Sequence, residues 1–471
     1  MFCQLETLRH CFPPNLRQFL NELPESLDET YERILKGINK AQKEDARRLL
    51  QCLTVAARPL RVEELAELLA FDFHATSDGG IPALREDWRW NDEEQAVLST
   101  CSSLIAIVRD GSSRVVQFSH FSVKEYLTSR RLASSGGDVS RFHVDLNAAH
   151  TILAQACLGT LLRLDEHRGN RDSKVFPLVK YAAQHWVEHA QFEDVSSRVQ
   201  DGMDDLFDAS KPSFVSWLQV HDMDRHWDNF SNSRRHRFGS PLYYAAFCGF
   251  HDLADRLIMK HPEQVNALGG LVLAPLPAAL SKRNFRVADL LWKHGAVVDV
   301  RDRDEWTPLH AAGYSGNVDI LRWLLNHGAN ARAQDTRRRT PLHRAARAGG
   351  LGAVQVLLEH IQDVNFQDDY GDTPLHDILA RFHPSQEGEV VEIARRLLEH
   401  GADPNMRPRS GSTPLHGASS HGSLEVARLL LSYGANIDAK DEEGMTPFQV
   451  ASLRGHDDII KLLLEHGAVP P

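Results

Sequence analysis

Paired cysteines are missing from this chain. Its six cysteines (Cys3, Cys11, Cys52, Cys101, Cys157, Cys248) lie far apart, with no two at C-x-x-C spacing. That excludes a disulfide-stapled scaffold and a cysteine zinc site, and it fits a reducing compartment. Long apolar runs are missing too. The longest, Leu271 to Leu280, contains Pro275 and Pro277 and is too short and too broken to span a bilayer. Glu6 falls where a signal peptide would need an apolar core, so none is expected. There is no excess of positive charge: the formal net charge of -11 disfavours a protein that lives by phosphate attraction. Finally, no stretch of the form G-x-x-x-x-G-K-[ST] occurs, so the chain as it stands is expected neither to bind nor to hydrolyse ATP or GTP. A soluble, cytoplasmic chain is expected, with the nucleus left open.

What is present is an ordinary globular balance, 42% hydrophobic and 25% charged over 471 residues, which allows about three domains at ~150 residues each. Histidine is the exception. Twenty-five histidines are about double ordinary usage and first suggest metal ligands.

The second half repeats. Thr307-Pro308-Leu309-His310, Thr340-Pro341-Leu342-His343 and Thr373-Pro374-Leu375-His376 start 33 residues apart. Thr413-Pro414-Leu415-His416 follows after 40, and Thr446-Pro447-Phe448-Gln449 after another 33. The weaker Ser240-Pro241-Leu242 and Ala274-Pro275-Leu276 extend the phase upstream, giving seven units. Each Thr reads as a helix N-cap with Pro at the first helical position, where a missing N–H costs nothing. Leu309 and Ala312 are expected to face the neighbouring unit. Leu-Leu-x-His-Gly-Ala, as in Leu324 to Ala329, ends a second helix, with Gly328 suited to a left-handed residue. Gly295, Gly401, Gly434 and Gly467 repeat that stop. Five histidines near this stop (His294, His327, His360, His400, His466) are placed to meet the last carbonyls and the negative end of the helix dipole. Two departures stand out. The fifth unit carries extra residues around Phe382 to Gly388, expected as a protruding loop. Glu305 and Arg338 occupy the hairpin position where glycine is expected, so those turns should be strained or reshaped.

The period and the T-P-L-H-x-A signature resemble the ankyrin repeat. A solenoid of this kind has no central pocket and offers a concave face to partners. The resemblance implies contacts at hairpin tips and at the start of the first helix, which here include Arg303, Asp304, Trp306, Tyr314, Arg337, Arg339, Arg347, Tyr370 and Asp372. Trp, Tyr and Arg are the types enriched in binding hot spots. Arg337-Arg338-Arg339 also suits nucleic acid or nuclear import, as weak support for either.

Residues 1 to 235 show no such period but carry helical signals. Ser26 to Glu29 is a capping box opening a helix through Ile38, and Asp45 opens another toward Ala57. Helices are expected at Val62 to Leu69, Glu93 to Cys101 and Ser122 to Leu132, with a hairpin of strands at Ser103 to Arg109 and Arg114 to His120. That order describes a winged helix. Its candidate recognition helix opens with Glu93 and Glu94, which would repel phosphates, so DNA binding is disfavoured. Asn147 to Leu164 carries Ala149, Ile152, Leu153, Ala156 and Leu161 on one apolar face, and the region is expected to bridge to the repeats and cover their first unit.

Three segments, Leu23 to Tyr31, Phe118 to Leu127 and Tyr181 to Trp186, resemble those that follow the nucleotide-binding core of fungal NACHT-ankyrin proteins of the STAND class. The resemblance implies a switch in which a NACHT NTPase precedes the winged helix and the repeats sense a partner. It also implies that His120, in its F-x-H-x-S setting, contacts a nucleotide phosphate where such a core is present. Without that core, the reading favoured for His120 is a cap or packing residue at the junction of wing and helix.

His185-Trp186-Val187-Glu188-His189 matches the H-x-x-E-H pattern of inverted zinc proteases and puts both histidines on one helix face. A third ligand and an open cleft are needed as well, and a packed structural helix is favoured. No metal site, catalytic residue or cofactor is therefore assigned.

The expected fold is mainly α: a remnant at 1–25, a winged-helix-like domain at 26–140, a helical bridging region at 141–235, and a seven-repeat ankyrin solenoid at 236–471. The expected function is nonenzymatic recognition of a protein partner on the concave face, with membrane, nucleic acid and small-molecule partners disfavoured. The alternative is the sensor half of a nucleotide-dependent STAND switch whose NTPase is missing from this chain.

Overall fold

A computed structural model of the chain describes residues 26–73, 80–89, 92–101, 103–111, 113–165, 176–223, 238–379 and 387–470. The expected remnant at 1–25, residues 166–175 and 224–235 of the expected bridging region, and residues 382–386 of the expected loop lie outside them. The chain forms two compact units. One holds the residues up to Pro241 together with Phe250–Leu257; the other holds Leu242–Gly249 and everything from Ile258.

The first unit begins with α1 (Leu27–Gly37), where Ser26 Oγ accepts the Glu29 N–H. Next come α2 (Lys43–Val55), β1 (Leu60–Arg61), α3 (Val62–Leu69), β2 (Phe71–Asp72), β3 (Ala83–Leu84), α4 (Glu93–Cys101), β4 (Ile105–Asp110) and β5 (Ser113–Phe118). β5 lies between β1 and β4, pairing Leu60 with Val116 and Ile107 with Val116, so the hairpin forms the wing of a winged helix. The expected single helix over Ser122 to Leu132 is two: α5 (Phe121–Leu127) and α6 (Arg130–Ser134). The break has a local cause, since Ser129 Oγ caps the second helix by accepting the Leu132 N–H.

Two buried carboxylates fix this unit. Glu64 takes both guanidinium nitrogens of Arg58, at 2.8 and 2.6 Å, and the Arg61 N–H at the start of α3. Glu67 accepts from Arg89 at 2.9 Å and from the Leu178 N–H at 2.7 Å, which ties α3 to the helical region. Burial pushes its pKa up against the pull of both donors. In that region α7 (Leu146–Leu162) is buried on more than the one face expected, with Ala154, Cys157 and Leu158 enclosed as well as Ala149 and Leu153. α8 (Val179–Ala190) packs along it, and Trp186, Phe207 and Trp217 form an aromatic core.

The second unit carries the period seen in the sequence. From Pro275–Ser281 and Phe285–Lys293 onward, helices succeed one another in pairs: Pro308–Ser315 with Val318–Asn326, Pro341–Ala348 with Leu351–Leu358, Pro374–Asp377 with Glu387–Glu399, Pro414–His421 with Leu424–Ser432, and Pro447–Arg454 with Asp457–Glu465. An upstream pair, Pro241–Cys248 and His251–Lys260, divided between the two units, brings the number of pairs to seven among the described residues. The histidine of each signature does more than fill a consensus position. His310 Nδ1 accepts from the Thr307 hydroxyl at 2.9 Å and from its N–H at 3.2 Å, closing the cap of its own helix. Its Nε2 then meets the Arg339 carbonyl of the next repeat at 2.9 Å. A carbonyl only accepts, so Nε2 carries the proton and the ring is the neutral Nε2–H tautomer. His343 reaches Asp372 O at 3.1 Å and His416 reaches Met445 O at 3.0 Å in the same way. His376 caps its own helix as well. At the second-helix ends, His327, His360, His400 and His466 donate from Nδ1 to the carbonyl four residues back, at 2.6, 3.1, 2.8 and 2.9 Å. His294, the fifth expected there, makes no such bond. Glu305 and Arg338 do sit in the left-handed region, at φ 61° and 57°.

Burial lowers the pKa of all four signature histidines, to about 4 for His343 and His376. An unfolded histidine takes up its proton near 6.5, whereas the folded ring stays neutral below that. Stability from these residues is therefore complete above pH 6.5 and falls as the pH drops below it, for His343 and His376 down to about pH 4 and by up to about 1.4 kcal/mol per pH unit each. Gln449 already performs the cap in the last repeat, with Oε1 accepting the Thr446 N–H at 2.9 Å. Urea midpoints at pH 7.5 and 5 should therefore lie closer together in His343→Gln than in the native chain.

Candidate functional site

In the third, fourth, fifth and last repeats an aspartate organises the hairpin before the first helix. Asp302 Oδ1 accepts the N–H groups of Asp304 and Trp306, at 2.9 and 2.8 Å. Asp335 does the same for Arg337 and Arg339, and Asp368 for Tyr370 and Asp372. Successive tips are joined by backbone bonds, Thr336 N–H to Asp304 O at 3.1 Å and Asp369 N–H to Arg337 O at 3.0 Å. The two residues after each aspartate are thereby held outward, which is why Arg303, Asp304 and Arg337 are exposed. Tyr370 is 55% exposed on the next tip. The 33-residue recurrence of these aspartates was a signal available in the sequence.

Trp306 is the centre of the site. It is half-buried, with the Tyr314 ring against its edge at 5.9 Å and the Arg344 guanidinium over its face at 4.2 Å. Arg344 is anchored by Asp335, whose pKa is lowered: burial opposes this, but Arg344 and two backbone N–H groups outweigh it. Sequence reasoning did not single out Arg344, because nothing local marks a side chain that stacks on the preceding repeat.

Arg339 is a correction. It was expected at a contact surface, yet it is 7% exposed and bonds Asp368 Oδ2 through Nε at 2.9 Å. Its alternating position in the hairpin turns it inward, between repeats. Arg347 is half-buried and donates to Asp377 at 3.1 Å, and burial raises the Asp377 pKa to about 6. Asp372 is half-buried, and its backbone carbonyl holds His343. The structure thus brings Trp306 and Tyr314 together below the Arg303, Asp304 and Arg337 tips, with Tyr370 one tip further on, and assigns Arg339 to the interior. A groove of about 450 Å³ lies beside Trp306, between the second and third repeats.

His120 lies exposed at the N-cap of α5. Its Nδ1 accepts the Ser122 N–H at 3.2 Å and meets the Ser122 hydroxyl, which bonds the Tyr31 hydroxyl at 2.8 Å. This is the capping role at the wing-to-helix junction. In the H-x-x-E-H helix, His189 is 1% exposed and both its nitrogens are engaged, Nδ1 with His150 at 2.9 Å and Nε2 with Tyr181 Oη at 2.8 Å. Burial lowers its pKa to about 3. His185 instead meets Glu188 at 3.3 Å, so the two histidines do not converge. Among the described residues, no group of three His, Cys, Asp or Glu side chains is arranged to hold a metal ion, and no helix is long and apolar enough to cross a membrane.

Comparison with known proteins agrees with this architecture. Residues 242–335, 327–407 and 382–470 each match the model for ankyrin repeats (3 copies). Residues 31–137 match the GPI inositol-deacylase, winged helix domain. A curated relative, "Azaphilone pigments biosynthesis cluster protein L" of Monascus ruber, is 33% identical over 298 residues, covering 59% of this chain. The match spans 61% of the relative's own length. The chain therefore joins a winged helix of the GPI inositol-deacylase type to an array of ankyrin repeats.

Proposed function

We propose that this chain is a nonenzymatic interaction protein that recognises another protein through the concave face of its repeats, acting in the cytoplasm. Ankyrin repeats in general mediate protein–protein interaction, and neither they nor winged helices are catalytic. The observation that carries the reading is the Trp306 cluster. An indole held half-exposed between Tyr314 and Arg344 presents a rigid aromatic anchor whose ordering cost is already met in the free protein. Arg303, Asp304, Arg337 and Tyr370 would form the polar rim around it.

A second reading, the sensor part of a nucleotide-dependent switch, is supported by the winged-helix match and by the exposed imidazole of His120. A P-loop reading frame continuous with Met1 would favour it.

Affinity capture with the native chain and with a Trp306→Ala, Tyr314→Ala variant tests the surface. Partners recovered by the native chain should be lost from the variant, with affinity falling at least tenfold for a cost of about 1.4 kcal/mol. An unchanged partner set contradicts the surface. Arg339 separates structure from contact: Arg339→Ala should lower stability by about 3–5 kcal/mol in urea unfolding, because Asp368 is left buried and unpaired. Arg337→Ala should lie within about 0.5 kcal/mol of native.

A further inference from the structure

We infer that the groove between the second and third repeats seats an apolar side chain of an acidic segment of the partner protein. This rests on the reading that the repeat face binds protein, and it specifies the chemistry of what is bound. The groove is lined by Leu271, Leu273, Pro277, Leu280, Val300 and Ile320, with the Trp306 ring at its edge. At about 450 Å³ it falls within the size of ligand pockets, about 300–1,000 Å³. Its polar wall groups are already engaged. The Ser281 hydroxyl donates to Ala278 O at 2.8 Å, the Ser315 hydroxyl donates to Ala312 O at 3.2 Å, and Thr307 Oγ1 is on His310. Asn317 Oδ1 accepts the Ile320 N–H that it caps. The one charge in the wall is the Asp302 carboxylate, which would repel a phosphate or carboxylate entering the groove. An apolar side chain is what such a lining accepts.

The hairpin beside it departs from the others in the same direction. Where later repeats place charged tips, residues 268–273 read Leu-Gly-Gly-Leu-Val-Leu, with Leu268 65% exposed and Leu271 40% exposed. Leu273 is held at φ 74°, a conformation that L-residues rarely adopt and that persists only where the surroundings enforce it. Apolar surface is thus concentrated at this one end of the hairpin row.

The rim beyond the groove has the opposite character. Arg303 follows Asp302 on the third tip, and Arg337 and Arg338 stand on the fourth, joined to the third by the Thr336–Asp304 backbone bond. All three arginines are exposed, and none has an ion-pair partner among the described residues. Asp304 is the opposing exposed carboxylate on these tips, since Glu305 is paired with Arg301. An apolar slot flanked by unpaired cations complements a segment in which one aliphatic or aromatic residue is followed by Asp or Glu. A nucleic-acid strand would satisfy the arginines but would leave the apolar slot unfilled.

The test selects short random peptides displayed on phage against the full chain, then measures their affinities by fluorescence anisotropy. Enriched peptides should share one Leu, Ile, Phe or Met with at least two acidic neighbours. Ala311→Trp, which fills the groove from an exposed helix position, should weaken them tenfold or more. The Arg303→Glu, Arg337→Glu variant should do the same, and its effect should shrink as salt is raised. Unchanged thermal unfolding of both variants confirms that the fold is intact, and the rim variant stands alone if the groove variant unfolds. Enrichment of basic or uncharged peptides, tighter binding of a single-stranded oligonucleotide, or no binder at all overturns the inference. Peptides weakened by Tyr314→Ala but indifferent to both other variants sink the groove and leave the binding face standing. Peptides indifferent to every variant sink both.

Discussion

At three junctions between repeats, one imidazole joins a repeat to the next. In His310, His343 and His416 a single neutral ring closes the N-terminus of its own helix with Nδ1 and holds the backbone of the following repeat with Nε2. Each bond is worth only about 1 kcal/mol net, but a buried carbonyl left without it would cost about 1–3 kcal/mol. The linkage also sets hairpin position: the carbonyls it captures, those of Arg339, Asp372 and Met445, belong to the residues just before the next Thr-Pro. In a stack of units that contact only their neighbours, these bridges act together with the backbone bonds between successive hairpin tips.

The binding face follows from that placement. Where the base of the hairpin is pinned by a histidine and its turn is closed by an aspartate, as at Asp335 and Asp368, side chains alternate between interior and surface. Arg339 turns in to Asp368 while Arg337 turns out. Trp306 holds the position that Arg339 and Asp372 hold in the next two hairpins, and Arg344 of the next repeat closes over it. The left-handed turns at Glu305 and Arg338 keep charged side chains where glycine would leave none.

The period, the capped helices, the winged-helix order and the strained turns were legible in the sequence because each depends on residues within a few positions of one another. Part of the histidine count, which first suggested metal, resolves into helix caps, helix ends and the bridges between repeats. What the sequence hid depends on distant partners. Strand β1 is two residues long and exists because Leu60 meets Val116. The inward turn of Arg339 requires Asp368, 29 positions away, and the role of Arg344 requires Trp306 of the preceding repeat. Glu67 reads as an exposed helix residue until the Leu178 N–H reaches it from the helical region.

The central claim is that the hairpin tips and first helices around Trp306 are the recognition surface. Hydrogen exchange of the chain alone and in complex with a captured partner measures this directly. Slowed exchange should concentrate at residues 302–315 and 335–348, with the second helices Val318–Asn326 and Leu351–Leu358 unchanged. Protection confined to those second helices, or to the winged helix, would contradict it.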